Sequence, residues 1–110
     1  MDLFHDVDNA RVVAMFELPG VGKDQLSINL EGNSLIVAGE RRPPRAAPRI
    51  KYARQEMRFG RFMRTLQLAP EIKPSHISAS LDDGMLIITW PAPRASSVPP
   101  AQTPTRIEIA

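Results

Sequence analysis

The chain has 110 residues, 14 lysines and arginines against 12 aspartates and glutamates, and a net charge of +2, enough for one domain with one core. It has no cysteine, which excludes a disulfide scaffold and a cysteine-based zinc site, and no apolar run approaches a membrane span. Its 11 prolines argue against long helices and mark strand ends and loops.

In chain order, most segments read with period two. RVVAMFEL, Arg11 to Leu18, is rich in strand formers and is stopped by Pro19-Gly20. Nothing before it reads as a signal peptide. In QLSINLEG, Leu26, Ile28 and Leu30 point one way and Ser27, Asn29 and Glu31 the other. Gly32-Asn33 is a turn signal, and SLIVAGE resumes the strand from Ser34 to Glu40, so residues 25–40 read as a hairpin. RRPPRAAPR follows, whose prolines and arginines make it an exposed loop rather than a central strand.

The segment IKYARQEM offers a short strand at the far end of that loop, and RFMRTLQLA alternates in part through Phe62, Arg64, Leu66 and Leu68 before Pro70. SHISASL places Ile77, Ala79 and Leu81 on one face. Asp82-Asp83-Gly84 is a tight-turn signal, and MLIITW is a run of apolar or β-branched residues. PAPRASSVPPAQTPT then reads as an extended linker, and the chain closes on RIEIA, with Ile107 and Ile109 one residue apart. Seven to eight short strands with no convincing helix predict an all-β, immunoglobulin-like β-sandwich with an extended C-terminal tail.

Little in the chain points to reaction chemistry. His5 and His76 lack further ligands at metal-binding spacing. Asp82 and Asp83 precede a glycine between two strands, which suits turn formers better than an acid–base pair. No serine sits in a nucleophile elbow, and no glycine-rich loop precedes a helix. The reading is not an enzyme, with no cofactor and no metal. Arg41, Arg42, Arg45, Arg49, Lys51, Arg54, Arg58 and Arg61 form a basic cluster interleaved with Tyr52, Phe59 and Phe62. Single-strand nucleic-acid binding would want such a mixture. However, the alternation turns Phe62 toward a core, and acidic residues elsewhere nearly cancel the charge. A solvated loop or a salt-bridging protein interface is the better reading, with no nucleic acid and no membrane as partner.

Five stretches, in order, resemble the small heat-shock proteins, whose folded core is the α-crystallin domain. They are ELPGVGKDQL, SLIVAGERR, YARQEMRFGRFMRTLQL, the block ASLDDGMLIITWP with its Ala-x-Leu-x-x-Gly-x-Leu pattern, and the terminal Ile-x-Ile of RIEIA. Departures are Met57 where the family usually has arginine, Ala69 for proline, and Met85 for valine. Members also carry a long arm before the first strand, whereas Met1 here lies close to it, which bears on large assemblies.

The resemblance implies a sandwich over residues 1–92, with a long loop at 41–56, and a C-terminal extension over residues 93–110. It implies that Ile107 and Ile109 dock in a hydrophobic groove between two sheet edges, formed by Leu26 and Ile28 on one and Ile77, Ala79 and Leu81 on the other. The acceptor is expected to be a neighbouring chain. A terminal strand of the same domain is the alternative, and Pro91, Pro93, Pro99, Pro100 and Pro104 weigh against the tight hairpin it would need. The loop implies a swapped strand over Ile50 to Gln55 that pairs with a partner's sandwich, with Ile50, Tyr52, Arg54, Glu56 and Arg64 at the dimer interface. The function implied is an ATP-independent chaperone of the stress response. It would work as a cytoplasmic homodimer or higher homo-oligomer that holds partially unfolded client proteins. A co-chaperone of related sandwich type, docking on another chaperone, is the alternative.

Overall fold

The computed structural model describes residues 1–43, 53–54, 58–92 and 105–109. Ile50, Tyr52 and Glu56, and most of the expected swapped strand, lie outside them. The described residues form eight strands: β1 (Asp2–Asp6), β2 (Arg11–Glu17), β3 (Leu26–Glu31), β4 (Ser34–Arg41), β5 (Gly60–Gln67), β6 (Ser78–Asp82), β7 (Met85–Pro91) and β8 (Thr105–Arg106). They make two four-stranded antiparallel sheets, ordered β1-β2-β7-β6 and β5-β4-β3-β8. The all-β sandwich expected from the sequence is thus the observed fold.

Register explains why these segments pair. In the first sheet Val12 faces Trp90, Ala14 faces Ile88 and Phe16 faces Leu86, and all six side chains are buried. In the second, Ile28 faces Val37 and Leu30 faces Leu35, again all buried. A slip of one residue would turn either row to solvent. Ile28, Leu35, Val37, Leu86 and Ile88 are the largest side chains sealed from water, each contributing about 1.5–3 kcal/mol of burial. MLIITW, which reads as an unbroken apolar run, therefore alternates in the fold, with Leu86, Ile88 and Trp90 inward and Met85, Ile87 and Thr89 half-buried on the outer face.

The turns match their residues. Asp83 and Gly84 both have positive φ, at 49° and 76°, the pattern of a two-residue type I′ hairpin between Asp82 and Met85. A Cβ at Gly84 would also stand 3.2 Å from Pro19 Cα. Gly84→Ala is expected to lower stability by about 1 kcal/mol in urea unfolding; an unchanged midpoint would contradict the strain argument.

Two elements differ from the alternation pattern. β1 is an unexpected strand, exposed at four of its five positions and paired to β2 through Leu3–Ala14 and His5–Val12. Leu3 and Phe4 are adjacent rather than alternating, so the periodicity gave no signal. The Asp6–Asn9 turn, closed by two hydrogen bonds from Asn9 to the Asp6 carboxylate at 3.3 and 2.7 Å, was the legible clue. β5 is an edge strand. Phe62 and Leu66 are only half-buried on its inward row, and Arg64 between them is exposed although it faces the sealed Val37.

Candidate docking groove

A sandwich of two open sheets has two flanks. On one, β3 of the second sheet runs beside β6 of the first. Strand alternation sends Leu26 and Ile28 inward from β3, with 2% and 0% of their surface exposed, and Ala79 inward from β6. Ile77 is set just ahead of β6 by the short 3-10 turn Pro74–His76, with its N–H bonded to Pro74 O at 3.2 Å. The His76 ring helps shape that turn, its Nδ1 accepting the Lys73 N–H at 3.2 Å. Leu81 packs half-buried against the same cluster. Leu26, Ile28, Ile77 and Ala79, all buried, and half-buried Leu81 thus belong to one packed cluster, on or beside the strands of this flank.

The C-terminal segment lies in it. β8 runs antiparallel to β3, Leu30 facing Thr105 and Asn29 facing Arg106. The Ile107 N–H then donates to Ile28 O at 2.7 Å, and Ile109 forms a parallel bridge to Ala79 across the flank. Ile107 is 4% exposed and belongs to the core; Ile109 is half-buried, and Arg106 and Glu108 face solvent. A single short segment thus touches an edge of each sheet. The sequence favoured a neighbour as acceptor, whereas here the segment closes on its own chain. Residues 93–104, at about 3.3–3.6 Å each when extended, cover on the order of 40 Å, which permits return and exchange alike.

The opposite flank, between the β1–β2 side and β5, holds a cavity of about 650 Å³. Arg41, Arg58, Arg61 and Arg64 border it, against the carboxylates of Asp2 and Glu17. Arg41 donates from Nη1 to Arg58 O at 3.5 Å, and its buried Nε finds no partner among the described residues. Of the five residues assigned to a dimer interface, Arg64 borders this cavity and Arg54 is exposed. Among the described residues, β1 has no strand on its outer side in the sheet order. That free edge is a feature the sequence reading missed.

The histidines and acids do not converge: among the described residues no three His, Asp or Glu side chains are placed to hold a metal ion. Nor, among them, is any helix long and apolar enough to cross a membrane.

The Hsp20/alpha crystallin family model matches residues 5–110. The chain belongs to the Hsp20/α-crystallin family. Among relatives in this small heat-shock protein family, the 17.6 kDa class II heat shock protein of Arabidopsis thaliana is 39% identical over 75 residues, covering 66% of this chain and 48% of that protein. The 16.9 kDa class I heat shock protein 3 of Oryza sativa subsp. japonica is 34% identical over 76 residues, covering 68% of this chain and 51% of that one. The chain thus spans about half the length of the curated relatives it matches. Heat shock protein 16.0 from Schizosaccharomyces pombe superposes with a TM-score of 0.73 at 27% identity, covering 88% of each chain. The hspA of Xanthomonas axonopodis gives 0.69 at 26%, covering 83% of this chain and 89% of its own. Small heat-shock proteins are ATP-independent chaperones, not enzymes.

Proposed function

We propose that this chain is the folded core of a cytoplasmic holdase, which binds partially unfolded proteins without nucleotide and assembles through reversible strand contacts. The observation that carries the reading is the seating of Ile107 and Ile109 on two sheet edges by a segment whose described residues hold only a two-residue strand. Burying the two side chains contributes about 1.5–3 kcal/mol each. Ordering the backbone costs roughly 1–2 kcal/mol per residue, so one docked tail is near balance and readily released. Many tails together still hold an assembly, because each later contact is effectively intramolecular. Release uncovers Leu26, Ile28, Ile77 and Ala79, the apolar surface and strand edge that aggregation-prone chains also seek.

Dimerisation belongs to the same reading. On this reading the loop from Arg41 to Glu56 carries a strand, Ile50 to Gln55, across to a partner, with Tyr52 as its apolar anchor. The free edge of β1 offers the backbone groups such a strand would pair with. The arginine-bordered cavity beside it, with Arg64, suits charge-assisted bonds to Glu56 of an arriving loop, Arg54 adding a second cation.

The test is to heat a labile enzyme with the protein, without ATP, and follow light scattering. Suppression at near-stoichiometric ratios is the expected result. No suppression at several-fold excess favours the co-chaperone reading, against which the terminal Ile-x-Ile segment already weighs.

A further inference from the structure

The two isoleucines give the groove its affinity, but any tail with two β-branched residues at this spacing would fill the same pockets. Selectivity has to come from the residues between and beside them. Arg106 and Glu108 occupy those positions and face outward. The antiparallel register, with Leu30 facing Thr105 and Asn29 facing Arg106, runs the tail back along β3 toward its start. There the short 3-10 turn Lys23–Gln25 precedes Leu26. Lys23, Asp24, Arg106, Ile107, Glu108 and Ile109 together line one cleft of about 260 Å³.

The turn is built to present its charges. The Gln25 N–H donates to Gly22 O at 3.0 Å, and the Gln25 side chain returns to accept the Gly22 N–H at 3.1 Å. Gln25 therefore closes the turn, and Lys23 and Asp24 are left exposed on its rim. One cation and one anion stand on the turn wall of the cleft, and one of each on the tail wall.

Resting on the reading that the Ile-x-Ile segment is a detachable ligand, we propose that Lys23 and Asp24 are specificity residues that read the tail's charge order. Among the described residues none of these four side chains makes an ion pair, so Lys23 acts on Glu108, and Asp24 on Arg106, across the cleft they line. A tail with those two charges exchanged places like charges against the turn and is rejected. The occupant selected is the C-terminal segment of this chain, its own or a second copy's. Exposed pairs of this kind act weakly and across solvent, so the discrimination is modest in each contact and fades with salt. Repeated over the tails of an assembly, it multiplies.

The experiment uses the full chain carrying Ile107→Asp, so that its own tail no longer fills the groove, and two fluorescent peptides of residues 103–110. One has the natural sequence and the other carries R106E and E108K. At low salt the natural peptide is expected to bind about threefold or more tighter, the gap closing as salt rises past a Debye length of about 8 Å. Lys23→Glu with Asp24→Lys is expected to reverse the preference. Equal affinity of the two peptides for the natural turn overturns the proposal, even if the variant turn fails to fold. An unreversed preference in a folded variant does so too. Failure of both peptides to bind any form is a different result: it removes the docking reading itself, and this inference with it.

Discussion

Ile107→Asp is expected to open the groove and leave the sandwich folded. At 4% exposure Ile107 has no room for water, and it is packed into the sandwich's single apolar cluster, which holds no buried polar or charged residue to receive a carboxylate. Burying an unpaired carboxylate costs far more than the about 1.5–3 kcal/mol that the isoleucine supplies, so the tail will leave rather than take the charge in. An apolar-surface dye should then fluoresce several-fold more strongly, and the assembly mass from light scattering should fall. The midpoint of global unfolding should move far less than a core truncation would move it. Ile109→Asp should act in the same direction but more weakly, because Ile109 is already half-exposed. Unchanged dye binding together with an unchanged mass would show that the segment neither covers nor joins anything in solution.

Gly39→Val is the largest expected loss of stability that comes from steric fit. Gly39 lies on the inward row of β4 opposite Phe62 of β5. A Cβ there would stand 2.7 Å from Phe62 Cζ and 2.8 Å from Gln25 O. The ring could swing toward the open flank, but the carbonyl belongs to the turn that Gln25 closes with two hydrogen bonds. Overpacking of this kind costs about 1–3 kcal/mol, and valine, with two further methyl groups, belongs at or above the upper end. Melting should fall by about 4–8 °C for each kcal/mol in a domain of this size. Phe62→Ala in the same chain should relieve only part of the loss, since the backbone clash stays. A shift below about 0.5 kcal/mol in urea unfolding, the ordinary range for surface changes, would mean the strands can part at Gly39 without penalty. The same substitution should also weaken tail binding, because the displaced turn is the one that carries Lys23 and Asp24.

The legible parts of this fold were those where alternation and turn chemistry agree. β3 and β4 around Gly32-Asn33, and β6 and β7 around Asp83-Gly84, could be read as strands, with the inward rows of β3 and β6 visible from their alternation. β1 could not, because its residues are exposed and its two hydrophobes adjacent. Arg64 sits on an inward row and still reaches water because β5 overhangs an open flank, and an edge position is not written in a strand's own pattern. Ile107 and Ile109 were visible as a pair, but the chain that receives them was not: a linker that reaches a neighbour also reaches home. Lys23 and Asp24 passed as part of a loop, since their significance depends on a register set some eighty residues later.

Because Ile107 hangs on the Ile28 carbonyl while Ile109 meets Ala79, one short ribbon crosses the seam between the two layers. On the proposed reading that this clasp is detachable, it unfastens while the other ladders stay intact, and the seam has an opening equilibrium of its own, separate from melting. The amide of Ile107 is the natural reporter of that equilibrium, trading its proton with water each time the clasp springs. On that reading the seam opens under conditions that leave the two sheets behind it paired.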